Sequence, residues 1–205
     1  MKKLESSLLN MVVVLTLVSV ITGGLLAAVN SVTEGPIKEQ KEKALADGIK
    51  AVVGRDDIKV TADVAIKSSV DGKEREYIAH CVADEKDQPV GVAIESASQG
   101  FSGDVKLLVG FDNAGVIKGY TILEHAETPG LGARAVDWFQ AGQKGDIIGK
   151  EPGKGQLTVS KDGGQIDAIT AATITSRAFL KAVNNAYEVY ANRNTDAQSG
   201  ATKKN

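Results

Sequence analysis

Apolar positions dominate the start of the chain and become periodic only later. Ser6 to Thr33 contains no charged residue, and Leu8 to Val29 is mostly Leu, Val, Ile and Ala. At about 1.5 Å rise per residue, about 20 such residues cross the hydrocarbon core of a bilayer. The pattern predicts one transmembrane helix. A cleaved signal peptide would have a shorter apolar region and a small-x-small cleavage site. Leu26-Ala27-Ala28-Val29 offers no good pair, Thr22-x-Gly24 is a weak one, and no cysteine follows that would take a lipid anchor. The helix is therefore expected to be retained. Gly23-Gly24 and the hydroxyls of Thr16, Ser19 and Thr22 suit packing against neighbouring helices.

Beyond Thr33 the pattern changes. Ile37, Ala44, Leu45, Ile49 and Val52 recur near helical spacing, so Glu34 to Val53 is expected to continue as a helix until Gly54-Arg55-Asp56-Asp57 breaks it. Strands are expected at Ile58 to Ile66, Tyr77 to Ala83, Val90 to Ile94, Asp104 to Phe111 and Val116 to Leu123. Asp71-Gly72 marks a turn between the first two. Asp112-Asn113-Ala114-Gly115 turns the last two into a hairpin, the clearest strand signal in the chain. Pro129-Gly130 favours a type II turn, because Pro fixes φ at one position and Gly supplies φ > 0 at the next. A short helix is expected over Ala133 to Ala141. Apolar runs follow at Leu157-Thr158-Val159 and Ile166 to Ile169. A last helix, from about Thr173 to Ala191, carries Ile174, Ala178, Ala182 and Ala186 in one row, with Phe179, Val183 and Tyr190 beside it. The fold class expected is α+β: one N-terminal transmembrane helix, then a domain with a twisted, antiparallel-rich sheet packed by helices. Residues 1–33 form the N-terminus and membrane helix, 34–192 the domain, and 193–205 a polar, disordered tail.

Composition narrows the chemistry. The chain has 24 Lys and Arg against 26 Asp and Glu, a formal charge of −2, which gives no support to nucleic-acid binding. Cys81 is the only cysteine, so an intramolecular disulfide is excluded and a cysteine-ligated cluster would need more thiolates. Cys81 is expected to be a small strand residue, and His80 beside it to be structural. Lys2 and Lys3 precede the apolar helix while Lys38, Lys41 and Lys43 follow it, so charge hardly decides its orientation.

The chemistry concentrates in Asp167-Ala168-Ile169-Thr170-Ala171-Ala172-Thr173. Two hydroxyls stand three positions apart at the start of a helix, with small residues between them and a carboxylate upstream. First-turn N–H groups lack intrahelical partners, and the helix dipole favours negative charge there, so a threonine at that end carries a phosphate well. Thr170 alone would be expected to cap the helix. Thr175 and Ser176 are candidate phosphate donors. His125 and Glu127 are candidates for a proton relay.

Taken together, the anchor, Glu127-Thr128-Pro129-Gly130-Leu131-Gly132 and Asp167-x-x-Thr170-Ala171-Ala172-Thr173 resemble the FMN-binding domain family. The likeness is greatest to the G-subunit branch of Rnf-type electron-transport complexes. The C subunits of sodium-pumping NADH:quinone reductases share the architecture. The resemblance covers about Met1 to Asn192. It implies that Thr173 is joined to FMN through a phosphoester bond, installed by a separate flavin transferase that uses FAD and Mg²⁺. It places Thr170, Ala171, Ala172, Ile174 and Thr175 about the attachment point, and Glu127, Thr128, Gly130, Leu131 and Gly132 beside the flavin ring. One departure stands out: Ala171 occupies a position where glycine is usual. The resemblance also implies an electron carrier in the cytoplasmic membrane, its FMN domain on the extracytoplasmic (periplasmic) side. Partner subunits would move electrons between ferredoxin and NAD and couple this to Na⁺ or H⁺ transport, with no independent catalysis, catalytic residue or metal site in this chain. The alternatives are a C-type subunit of the sodium-pumping reductase, whose members tend to be longer, and a membrane-anchored binding or assembly protein without flavin.

Overall fold

The computed structural model describes residues 8–70 and 73–199. The Asp71-Gly72 turn, Lys2 and Lys3, and the end of the expected tail at 200–205 lie outside them. The chain divides into two compact units, Met1–Ala44 and Leu45–Asn205. One helix, α1, runs continuously over Leu8–Val53, with Pro36 inside it. Its part in the first unit is long and apolar enough to cross a membrane. Large apolar side chains such as Leu15, Ile21 and Leu26 stand exposed along it. Thr16 and Thr22 donate to Val12 O at 2.9 Å and Val18 O at 2.8 Å, which keeps these hydroxyls satisfied within the helix.

The second unit is built on a five-stranded antiparallel meander in the order β1-β2-β3-β4-β5: Ile58–Val70, Lys73–Asp84, Pro89–Gln99, Asp104–Asp112 and Ile117–Glu124. All five expected strands are present; the first four run longer than periodicity alone set them, and the fifth is shifted by one residue. Asp112 makes the hairpin turn rigid: its carboxylate accepts the N–H groups of Ala114 at 2.9 Å and Val116 at 3.0 Å, and Gly115 supplies φ +81°.

Alternate side chains divide between two faces. On one face Val92, Ile94, Leu107 and Val109 bury against α3 (Thr173–Ser199), which contributes Phe179, Leu180, Val183 and Ala186. Phe179 stacks on Phe139 with centroids 4.1 Å apart and meets Tyr120 edge-on at 4.8 Å. On the other face the last turns of α1 pack Ile49, Val52 and Val53 against Val82, Ala93 and Leu108. Gly110 and Gly119 are register partners in β4 and β5, and a Cβ on Gly119 would lie 2.9 Å from Val52 Cα. Two glycines side by side thus let the helix backbone approach the sheet directly.

Two of the helices also differ from expectation in their bounds. The short helix shrinks to a 3-10 turn at Gly132–Arg134 and one α turn, α2, at Ala135–Trp138. It stops because Phe139 is drawn into the core, its N–H taken by the Tyr120 hydroxyl at 3.2 Å. At the other end α3 continues to Ser199, into the segment expected to be a disordered tail.

Candidate functional site

Two loops meet at the N-terminus of α3. The first follows β5. Leu131 N donates to Thr128 O at 3.2 Å and Gly130 has φ +76°, so Thr128–Leu131 is the expected Pro-Gly turn. Glu127, immediately before it, is buried, and both its carboxylate oxygens are engaged. Oε1 accepts the N–H groups of Phe101 at 2.7 Å and Ser102 at 3.2 Å, and Oε2 accepts the Thr175 hydroxyl at 2.8 Å. One carboxylate thus ties the β3–β4 loop and the 128–132 turn to α3. A Cβ on Gly132 would lie 2.5 Å from Glu127 Oε2 and 2.7 Å from Thr175 Oγ1, so only glycine leaves room for this junction.

The second loop carries the paired-threonine motif. Val159 and Ile166 form a parallel bridge, which folds Gly163-Gly164 into a turn. Trp138 Nε1 donates to Asp167 O at 2.8 Å, while the Asp167 carboxylate accepts Ser160 Oγ at 3.3 Å. Ala172 N then donates to Ile169 O at 3.0 Å, closing a turn in which Ala171 has φ +61°. This is the left-handed region, and Asp87 is the only other non-glycine residue at positive φ among the described residues. Helix α3 starts at Thr173.

Between the loops lies a cleft of about 390 Å³. Its walls are Glu127, Thr128, Leu131 and Gly132 on one side and Ala171 to Thr175 on the other, with Phe101 at the edge. Phe101, Leu131 and Ile174 are 69%, 43% and 52% exposed, an unusual gathering of apolar side chains in contact with solvent. Thr173 is half-buried, and its Oγ1 accepts a hydrogen bond from Lys161 Nζ at 3.1 Å.

The structure therefore brings nine of the eleven residues that the resemblance places about the flavin to one cleft; Thr170 and Gly130 lie outside its walls, as do Ser176 and His125. Three expectations need correction. Thr170 does not cap α3, because it sits exposed in the turn three residues before the helix begins. Thr175 and Ser176 do not offer free hydroxyls to an anion. Thr175 donates to Glu127, and Ser176 Oγ donates to Ala172 O at 3.0 Å while accepting Ile169 N–H at 2.9 Å. Nor does Glu127 suit a proton relay with His125, because His125 Nδ1 accepts the Glu127 backbone N–H at 3.2 Å and the carboxylate faces Thr175 and the Phe101 loop. Sequence reasoning missed Phe101 and Lys161. Phe101 carried no local signal. For Lys161 there was one: Gly163-Gly164 between two apolar runs marks a reversal that returns Lys161 toward the motif.

The FMN-binding domain family model matches residues 100–188, and the RnfG N-terminal region model matches residues 1–52. The G subunit of the ion-translocating oxidoreductase complex of Shewanella baltica is 37% identical over 84% of this chain and 84% of its own. The corresponding G subunits of Yersinia pestis and Vibrio vulnificus are 38% and 34% identical, over 80% and 82% of both chains respectively. A solved structure, that of Shewanella oneidensis NqrC, is 23% identical and aligns over 62% of this chain and 65% of its own with a TM-score of 0.46.

Proposed function

The chain belongs to the family of G subunits of ion-translocating oxidoreductase complexes, and on that premise we propose that it is an electron carrier holding FMN covalently through Thr173. The observation that carries this is the cleft joining the Thr128–Gly132 turn to the first turn of α3. Its residues suit the group. Thr173 presents a hydroxyl where unpaired helix N–H groups and the dipole favour a phosphate. Phe101, Leu131 and Ile174 offer apolar surface to a flat ring. When bound, FMN supplies one- and two-electron exchange, and the protein supplies position, dielectric and hydrogen bonding.

This chain's own residues hold and orient. A threonine hydroxyl is a weak nucleophile without a base. Lys161, its hydrogen-bond partner, donates as an ammonium and does not take the proton. Attachment therefore calls for a separate flavin transferase using FAD and Mg²⁺. The exposed turn at Thr170-Ala171 gives such an enzyme access. The α1 segment anchors the protein in the cytoplasmic membrane, with the FMN domain on the extracytoplasmic side. Partner subunits deliver and remove electrons between ferredoxin and NAD, coupled to Na⁺ or H⁺ movement.

The test is attachment itself. Co-expression with the transferase should give a flavin-fluorescent band that survives denaturation, with a mass gain of one FMN group. Thr173→Ala should lose both, and Thr170→Ala should keep them. Free FMN without the transferase should add nothing. A fluorescent Thr173→Ala band would refute the assignment.

A further inference from the structure

The cation beside the acceptor hydroxyl has no other task on view. Lys161 lies in the 3-10 turn Ser160–Asp162 and donates to Thr173 Oγ1 at 3.1 Å. It makes no ion pair among the described residues. The acidic groups next to it are already matched. Asp162 forms a two-point pair with Arg177 of α3, at 2.6 and 2.7 Å, and Asp167 accepts Ser160 Oγ. The turn is also fixed to its surroundings: Ser160 N donates to Ile166 O at 2.7 Å, and Gly163 closes it at φ +85°. An ammonium aimed at a neutral hydroxyl makes little use of its charge. Aimed at an oxyanion, it forms a shorter and roughly twofold stronger bond.

We infer that Lys161 is a positioning residue and counter-ion for the phosphoryl group that Thr173 carries, a role that rests on the covalent-FMN reading above. A phosphorus bonded to Oγ1 places its non-bridging oxygens within reach of the flexible lysine side chain. In the transfer, the Thr173 Oγ1–P bond forms, the pyrophosphate P–O bond of FAD breaks, AMP leaves, and the hydroxyl proton passes to a base of the transferase. Negative charge grows beside Lys161 during that step, and the resulting phosphodiester monoanion stays beside it.

The experiment uses the full chain, made without the transferase and then treated with purified transferase, FAD and Mg²⁺. The initial rate of mass gain is followed for wild type and for Lys161→Gln, Lys161→Arg and Lys161→Glu. Lys161 is exposed, so the fold is not at stake. Loss of one charge-assisted hydrogen bond should slow loading about tenfold in K161Q and further in K161E, with K161R within about twofold of wild type. The ³¹P resonance of the loaded phosphodiester should move in K161Q and stay in place in a control, Lys59→Gln, whose side chain pairs with Asp87 at the opposite end of β3 from the Phe101 loop. Wild-type loading of K161Q overturns the role of Lys161 and leaves the covalent-FMN reading standing. Slow loading with an unmoved resonance also overturns it, because Lys161 would then be a contact for the transferase only. No loading of the wild type overturns both.

Discussion

Ala171 sits in a conformation that its side chain resists. At φ +61° an L-residue carries about 1 kcal/mol of strain that glycine lacks. Glycine is also freer in the unfolded chain, which returns part of that gain. Ala171→Gly should therefore raise stability by a net ~0.5 kcal/mol, seen as a higher urea midpoint at unchanged slope. A lower midpoint would show that the turn is not strained there. Gly132 is the opposite case. Its Cβ would be forced against the Glu127 carboxylate and the Thr175 hydroxyl, so Gly132→Ala should cost about 1–3 kcal/mol by the same measurement. The sequence made the first of these positions visible, because alanine stood in place of the usual glycine. It hid why the second must be glycine, since the junction joins residues 48 apart in the chain. Thr170 misled for a related reason: a cap must adjoin the first turn of its helix, and the turn at Ala171 separates Thr170 from the start of α3 at Thr173.

At the level of elements, the strands and α3 were legible because one face of each is apolar and the spacing shows it. What lies between elements was not. Gly110 and Gly119 resemble ordinary weak points of strands, yet they form the seat on which Val52 crosses the sheet. His80 offered no partner in sequence. In the sheet it is buried between Asp63 of β1 and Glu95 of β3, with Nδ1 2.7 Å and Nε2 3.1 Å from their carboxylates, and Lys106 of β4 completes the row at 2.7 Å from Glu95. Burial opposes a charge on His80, but the hydrogen bonds to Glu95 and Asp63 outweigh it and hold the imidazole above its ordinary 6.5. The His80 hydrogen bond, helped by Lys106, holds Glu95 below its ordinary 4.5 against the effect of burial. The signs give two limits. The contribution of His80 is complete below pH 6.5 and fades as pH rises through its higher folded value, while that of Glu95 is complete above 4.5 and fades as pH falls through its lower one. Stability should therefore decline on the alkaline side of 6.5, and His80→Gln should remove that decline. Melting temperatures taken across this range test it, and an equal alkaline decline in His80→Gln would assign the effect to another group.

Across the whole molecule, the long apolar segment and the periodic pattern that follows it were both plain in the sequence, but one continuous helix runs through the first into the second. Its apolar run up to Val32 is exposed, whereas Ile49, Val52 and Val53 belong to the core of the second unit. Where the chain is cut should therefore matter more than whether the anchor is removed. A chain starting at Glu34 loses the lipid-facing stretch and keeps that core. It should be soluble and monodisperse, and it should still accept flavin at Thr173 from the transferase. A chain starting at Gly54 loses three buried side chains and bares Val82, Ala93 and Leu108. At about 1.5–3 kcal/mol for each fully buried aliphatic side chain, the loss is roughly 5 kcal/mol or more. That is comparable with the whole stability of a small domain. The shorter chain should aggregate or unfold at ambient temperature, as followed by circular dichroism and size-exclusion chromatography. If it melts with the longer one, the end of α1 is dispensable to the second core and serves only as a connection to the anchor.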